Sequence, residues 1–162
     1  MDKIVVSVIG AGGKMGTRTS NNLVKCPEKF EVLMSEASET GLASIRERGF
    51  EPIPAEEALK RADVVVFAVP DTLIRTLSEI YVPQLRPGAG FIILDPAAAV
   101  ARELTLRDDC TFAVAHHVIL RISLIRIHMR RDRTDSVAAE ENRISLCPGY
   151  RERMSALRNV WR

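Results

Sequence analysis

The feature that most constrains the fold lies at the start of the chain. A short apolar run rich in β-branched residues, Ile4–Ile9, stops at a glycine-rich segment that begins at Gly10 and ends at Gly16. Such a run is typical of a buried parallel strand, and the residues that follow, to about Val24, have the pattern of a helix. A strand, a glycine turn and a helix in this order predict the first unit of a sheet whose strands are connected by helices.

Strand and helix patterns continue to alternate up to residue 115. The strongest strand pattern is the apolar run 62–69, and the others predicted are strands at 30–34, 91–94 and 111–115, helices at 40–48, 54–60 and 72–81, and a short third strand at 51–53. This alternation predicts an α/β fold, a Rossmann-type doubly wound parallel sheet that occupies residues 1–115.

The character of the sequence changes at residue 116. Residues 1–115 contain 13 Lys and Arg against 16 Asp and Glu, whereas residues 116–162 contain 10 against 5, and every lysine precedes residue 116. The mixture of Ile, Leu and Arg in residues 118–129 follows the period of neither a strand nor a helix. The fold is therefore expected to end in an irregular, arginine-rich C-terminal tail over residues 116–162.

Several protein classes are disfavoured by composition. No apolar run approaches the roughly 20 residues of a transmembrane helix, and the apolar run near the N-terminus is too short for a secretory signal. The three cysteines, Cys26, Cys110 and Cys147, are widely spaced and odd in number, which favours neither a disulfide framework nor a zinc site. They are consistent with a protein of the reducing cytoplasm, without membrane association.

The glycine segment has the spacing of a loop that binds a dinucleotide. Glycines allow a tight turn and a close approach of the backbone to a pyrophosphate, and the N-terminus of the following helix offers free N–H groups to it. The alternative is a glycine-rich turn that binds nothing. The candidate cofactor-binding residues here are Gly10, Ala11, Gly12, Gly13, Lys14, Met15 and Gly16.

An acidic residue follows the second predicted strand. Glu36 lies 20 residues after Gly16, at the position where a carboxylate accepts hydrogen bonds from the adenosine ribose. A carboxylate there repels a 2′-phosphate, which favours NAD while leaving NADP possible. The alternative is that Glu36 is an ordinary loop acid, like Glu39.

A third candidate segment follows the strongest strand. Val69, Pro70 and Asp71 are expected at the carboxyl end of the sheet, where ligands bind in open α/β folds. They would lie beside the nicotinamide end of the cofactor. The alternative is an ordinary strand-to-helix turn in which Asp71 lies at or near the N-cap of the next helix.

Three segments together resemble a known group of enzymes. The segments Gly10–Gly16, Ala68–Asp71 and Leu94–Ala99 resemble the NAD(P)-binding domain of the 6-phosphogluconate dehydrogenase-like oxidoreductases. The similarity is greatest to a phosphogluconate dehydrogenase-like subgroup that includes D-apionate oxidoisomerase, and it covers about residues 1–116. It implies NAD(P)-dependent chemistry on a sugar acid or another small hydroxy or keto acid, and it places Asp95 beside the nicotinamide.

The resemblance also implies parts that this sequence does not show. In the subgroup, a His-Pro-Cys-His-Pro motif leads into a helical second domain that supplies the catalytic acid or base and the homodimer interface. His116 matches only the first histidine of that motif, so it is a weak catalytic candidate and no other catalytic residue is named. Dihydrodipicolinate reductases also have a pair of histidines, which is followed by a lysine. No lysine follows His116 and His117 here, so an assignment to that group is rejected.

A frame shift accounts for this departure. One base inserted after the codon of His116 allows residues 117–123 to be read as Pro-Cys-His-Pro-Ser-Tyr-Phe, and we hypothesise that residues 117–162 are read out of frame. This chain would then retain cofactor binding without turnover.

Two other interpretations stay open. One is a non-catalytic nucleotide-binding protein whose arginine-rich tail binds nucleic acid, although Tyr150 and Trp161 are the tail's only aromatic residues after His117. The other is a Rossmann enzyme of the prephenate dehydrogenase kind.

Overall fold

One six-stranded sheet with flanking helices forms the described part of the chain. The computed structural model describes residues 2–95, 98, 101, 103–118 and 121–126. The strands are β1 (Ile4–Ile9), β2 (Phe30–Ser35), β3 (Val64–Phe67), β4 (Gly90–Ile93), β5 (Thr111–Val118) and β6 (Arg121–Arg126). The helices with defined bounds are α1 (Lys14–Leu23), α2 (Glu39–Glu47), α3 (Ala55–Arg61) and α4 (Asp71–Tyr81), followed by a 3-10 turn at Val82–Gln84. None of the helices within these described ranges has the length and apolar character needed to span a bilayer.

The order in which strands are added to the sheet reverses at β1. The order is β2-β1-β3-β4-β5-β6, and strands β1 to β5 are mutually parallel. The chain leaves β1 for β2 on one side and then returns to form β3 on the other side. Ligands in such sheets bind where the order reverses, in the crevice outside the carboxyl ends of the strands. The predicted doubly wound parallel sheet is confirmed, and the crevice where its strand order reverses lies at the ends of β1 and β3.

Alternate residues of the central strands build two cores, one on each face of the sheet. Val64 and Val66 of β3 pack with Leu23 of α1 and Ile45 of α2, whereas Val65 and Phe67 pack on the opposite face. The second face is covered by α3, the 3-10 turn and α4, and includes a run of aromatic contacts from Tyr81 through Phe67 and Phe91 to Phe112. Burial on both faces explains why the strand sequences are continuously apolar rather than alternating.

Two sequence predictions differ from the structure. The short strand predicted at 51–53 does not form: Pro52 and Pro54 lack N–H groups, and the segment is attached to β2 by one bond from Ile53 N to Met34 O at 2.8 Å. The second difference is that β5 continues past residue 115 and pairs in antiparallel register with β6, where an irregular tail was expected. The open edge of β5 accounts for this pairing, because its backbone groups need partners. Residues 127–162, most of the predicted tail, lie outside the described residues.

Candidate functional site

The glycine loop occupies the crevice between β1 and β3. The backbone N–H groups of Gly10 and Ala11 both donate to the carbonyl oxygen of Ser35, at 2.9 and 3.1 Å, which ties the loop to the end of β2. Gly10 has a φ of 81°, and a Cβ on it would come within 2.5 Å of the Ala68 carbonyl oxygen after β3. The loop therefore contacts the ends of both neighbouring strands, and glycine is required at its first position.

Two further glycines permit close contacts within the protein. A Cβ on Gly16 would overlap the carbonyl oxygen of Gly10, and a Cβ on Gly12 would overlap the backbone of Gly41 in the first turn of α2. The first contact brings α1 against the loop, and the second brings α2 against it. Both glycines are explained by packing alone.

Gly13 differs from these three glycines. A Cβ on Gly13 would have one neighbour within 4 Å, the carbonyl oxygen of Gly10 at 3.4 Å. Its backbone is extended, with φ −73° and ψ 170°, which any residue adopts, and Gly13 is exposed. Nothing in the described protein requires glycine here, so the open space is available to a ligand.

The N-terminus of α1 has the features of an anion site. The first helical bond runs from Thr17 N to Gly13 O at 2.8 Å, so the N–H groups of Lys14, Met15 and Gly16 have no acceptor within the helix. No side chain caps α1, and its first turn has no acidic residue, whereas the first turns of α2, α3 and α4 each have at least one. The helix dipole, the free N–H groups and the cation of Lys14 all favour an anionic ligand at this end.

Glu36 lies beside the loop, directly after β2. Its Oε2 accepts the N–H of Gly12 at 3.0 Å. Its Oε1 accepts the N–H groups of Ala37 and Ser38, at 2.9 and 3.1 Å, and the hydroxyl of Ser38 at 3.2 Å. The carboxylate therefore joins the end of β2 to the glycine loop, and Glu36 is more than an isolated loop acid.

The same contacts control the charge of Glu36. Burial raises the pKa of the Glu36 carboxyl, but the hydrogen bonds from Ser38, Ala37 and Gly12 outweigh it and hold the pKa below its ordinary value. The side chain is therefore ionised at neutral pH. The stabilisation from this lowered pKa is present above the ordinary pKa of an unfolded glutamate and is lost as the pH falls through the lower folded value.

Of the remaining sequence candidates, those that follow β3 and β4 lie at the carboxyl ends of the strands, whereas His116 does not. Pro70 is the N-cap residue of α4 and Asp71 its first residue, both exposed, while Val69 packs against the core. Asp95 follows β4, whose Ile93 is paired with Phe67 of β3, so Asp95 comes after the end of the neighbouring strand. His116 lies within β5, two residues before its end rather than at it.

Sequence reasoning missed three residues of this site. Gly41 leaves the space that the Glu36 carboxylate occupies, since a Cβ there would lie 2.6 Å from its Cδ. Ser38 caps α2 and also donates to Glu36. Arg48, at the other end of α2, donates to the Ala11 carbonyl oxygen at 3.0 Å. A glycine and a serine near a helix start are weak sequence signals, and a contact across 37 residues has no local signal at all.

A family model matches the part of the chain that contains this site. The model is described as acetohydroxy acid isomeroreductase, NADPH-binding domain, and it matches residues 1–93. Two relatives named D-apionate oxidoisomerase are similar over a slightly longer stretch. The one from Blautia hydrogenotrophica is 79% identical over 116 residues, 72% of this chain and 40% of the relative, and the one from Cupriavidus necator is 44% identical over 112 residues, 68% of this chain and 40% of the relative.

A solved structure shows the same fold. A semialdehyde dehydrogenase NAD-binding protein from Cupriavidus necator, in complex with calcium and NAD, is 41% identical with a TM-score of 0.66, and the match covers 74% of this chain and 44% of that one. The chain thus spans about 40% of the length of the curated relatives it matches. The predicted resemblance to NAD(P)-binding oxidoreductases is confirmed, and the alternative of a nucleic-acid-binding protein has no support among these matches.

We expect alanine substitutions at Gly16 and Gly13 to have different effects on the free energy of unfolding. Gly16→Ala should lower the free energy of unfolding by about 1–3 kcal/mol, because its Cβ overlaps the Gly10 carbonyl. Gly13→Ala should change it by less than about 1 kcal/mol in either direction, because the unfolded chain loses freedom while alanine is a poorer N-cap residue than glycine. Urea denaturation followed by circular dichroism measures both. Equal losses in the two variants would show that Gly13 is also required by packing.

Proposed function

Because the chain belongs to the family of acetohydroxy acid isomeroreductase NADPH-binding domains, we propose that its glycine loop binds the pyrophosphate of a nicotinamide dinucleotide. The observation that carries this proposal is the N-terminus of α1, which has N–H groups with no acceptor among the described residues, no acid in its first turn and open space at Gly13. In this proposal the pyrophosphate lies against the loop residues Gly10, Ala11, Gly12, Gly13, Lys14, Met15 and Gly16.

We assign the adenosine end of the cofactor to Glu36. Its Oε2 accepts only one hydrogen bond among the contacts of the described residues, from Gly12, so it retains capacity for a ribose hydroxyl. Its charge disfavours the 2′-phosphate of NADP, which supports NAD as the preferred cofactor. NADP stays possible, since the family description names NADPH.

We assign the nicotinamide end to the ends of β3 and β4. Val69, Pro70 and Asp71 follow β3, and Asp95 follows β4, so these residues would flank the ring. The glycine loop and this turn lie close together, because a Cβ on Gly10 would lie 3.2 Å from Val69 Cγ1. When bound, the nicotinamide supplies hydride-transfer chemistry, and the described residues bind and orient the cofactor.

For the complete protein we propose an oxidoreductase of sugar acids or other small hydroxy or keto acids. The two relatives named D-apionate oxidoisomerase support this class. The substrate pocket, the catalytic acid or base and the homodimer interface would belong to a further domain, with His116 a candidate pocket residue. Cys26 and Cys110 are free thiols, which supports a cytoplasmic location.

For residues 117–162 we propose a reading frame shifted relative to the gene of the relatives. The similarity to the Blautia hydrogenotrophica relative extends over 116 residues, 72% of this chain, at 79% identity, which supports a change of sequence in the remaining part. The domain division is then a dinucleotide-binding domain at 1–115 and an out-of-frame segment in place of a substrate domain. This chain would bind the cofactor without catalysing turnover.

Cofactor binding tests the central proposal. NADH should bind the wild-type chain, and Gly13→Val should abolish binding because the branched side chain fills the open space against α1. Isothermal titration calorimetry measures the affinity, and Thr76→Val, which introduces the same residue at an exposed position of α4, should bind NADH as the wild type does. Equal affinity of the Gly13→Val variant would exclude the glycine loop as the binding site.

The charge of Glu36 predicts cofactor preference. Wild type should bind NADH more tightly than NADPH. Glu36→Gln should reduce the ratio of NADH affinity to NADPH affinity by about tenfold, because it removes the repulsion between the carboxylate and the 2′-phosphate, which is a few kcal/mol at most. Both cofactors share the pyrophosphate, so any change in the loop cancels in the ratio. Glu39→Gln removes the same charge from an exposed position in the first turn of α2 and should leave the ratio unchanged. A ratio unaffected by Glu36→Gln would contradict the assignment.

The frame-shift proposal has a direct test in the gene. Resequencing across the codons of residues 115–162 and beyond should reveal one additional base after the codon of His116. The restored frame should stay open into a helical domain, and the restored protein should oxidise or reduce a sugar acid. If resequencing finds no additional base and confirms the present reading frame of residues 117–162, the proposal is refuted.

A further inference from the structure

Arg48 uses all five of its N–H donors within the protein. It is the C-cap residue of α2, and its guanidinium reaches back across the helix to the glycine loop. An arginine side chain offers five N–H groups in a fixed plane. Their acceptors are Ser44 O at 3.3 Å, Ser20 Oγ at 2.9 Å, Asn21 Oδ1 at 3.0 Å, Ala11 O at 3.0 Å and the Met34 sulfur at 3.8 Å. One rigid group thus links α2, α1, β2 and the loop.

The loop peptide between Ala11 and Gly12 is held at both of its polar ends. Its carbonyl oxygen accepts from Arg48 and from the Thr17 hydroxyl, at 3.0 and 3.3 Å. Its N–H donates to the Glu36 carboxylate at 3.0 Å. Because a peptide unit is planar, these contacts fix the orientation of the whole unit. A cation on one side and an anion on the other polarise the peptide in the same sense, which strengthens both hydrogen bonds.

Packing leaves this peptide little freedom to rotate. Ala11 is completely buried, and Gly12 lies so close to Gly41 that a Cβ on it would overlap that backbone. Without Arg48, the Ala11 carbonyl would keep only the longer bond from Thr17. A buried carbonyl that loses its main donor is destabilised, and the packing that remains would hold the peptide less firmly than packing and hydrogen bonds hold it together.

We propose that Arg48 is a positioning residue for the dinucleotide. With Glu36, it fixes the Ala11–Gly12 peptide in the free protein and so sets the shape of the loop that receives the pyrophosphate. This inference rests on the proposed function, because it assigns the pyrophosphate to the same loop. A loop shaped in advance binds more tightly, since less conformational entropy is lost when the ligand arrives.

A purely structural role for Arg48 predicts different behaviour. The guanidinium also lies 5.9 Å from the centre of the Phe50 ring and contacts α1, so its loss will lower stability in either case. A structural role alone would weaken every ligand of the folded domain equally. A positioning role weakens ligands that contain the pyrophosphate and leaves adenosine, which Glu36 would bind, nearly unaffected.

The test compares ligand fragments on matched variants. Arg48→Met should weaken ADP and NADH about tenfold, as expected for a charge-assisted hydrogen bond, while adenosine affinity changes less than twofold. Arg48→Lys, which keeps the charge but not the planar fork, should recover part of the ADP affinity. Arg46→Met removes an exposed arginine from the last turn of the same helix and should bind all three ligands as wild type does.

A measurement on the free protein separates this inference from the proposed function. The Gly12 amide proton should resonate downfield and exchange slowly in wild type, and it should shift upfield and exchange faster in Arg48→Met but not in Arg46→Met. Unchanged ADP affinity, an equal loss for ADP and adenosine, or an unperturbed Gly12 amide in Arg48→Met would overturn the positioning role. If wild type binds no NADH while the Gly12 amide responds as described, the proposed function fails and the effect of Arg48 on the loop peptide stands.

Discussion

The close approach of Gly10 and Gly16 is the constraint on which the rest of the site depends. Because Gly16 has no Cβ, the first turn of α1 packs directly on the carbonyl of Gly10, and the helix begins immediately beyond the end of β1. A larger residue would push α1 away from the sheet edge and turn its N–H groups from the crevice. The parallel order of β1 and β3 then places the Ala68 carbonyl against the other side of the loop.

Two charged side chains also hold the glycine loop in place. Glu36 precedes α2 and Arg48 follows it, and both bind the single peptide between Ala11 and Gly12. Neither charge is isolated: the carboxylate has four donors, and the guanidinium has an acceptor for each N–H group. Partly buried charges are tolerable when they are paired in this way. Because both side chains are held in place, they fix the loop peptide relative to α2.

Local sequence signals predicted the elements but not the contacts between them. Buried strands such as Val64–Phe67 are apolar runs, and the place of Glu36 beside the loop could be predicted because its distance from the glycines is set by one helix and one strand. Arg48 and Gly41 act through contacts between segments distant in the chain, which no local pattern reports. At Ile53 an apolar residue suggested a strand, but the prolines on both sides remove the N–H groups that a ladder needs.

The distribution of acidic residues over the helix starts predicts where an anionic ligand would bind. The N-terminus of α2 already has Glu39, the Ser38 hydroxyl and the nearby Glu36 carboxylate, so its positive end is satisfied by the protein's own groups. The starts of α3 and α4 likewise have acidic residues of their own. The start of α1 has Lys14 instead, beside a glycine that leaves space open. An anionic ligand therefore meets attraction at α1 and repulsion at Glu36, so a pyrophosphate is favoured at the loop and a second phosphate on the ribose is not.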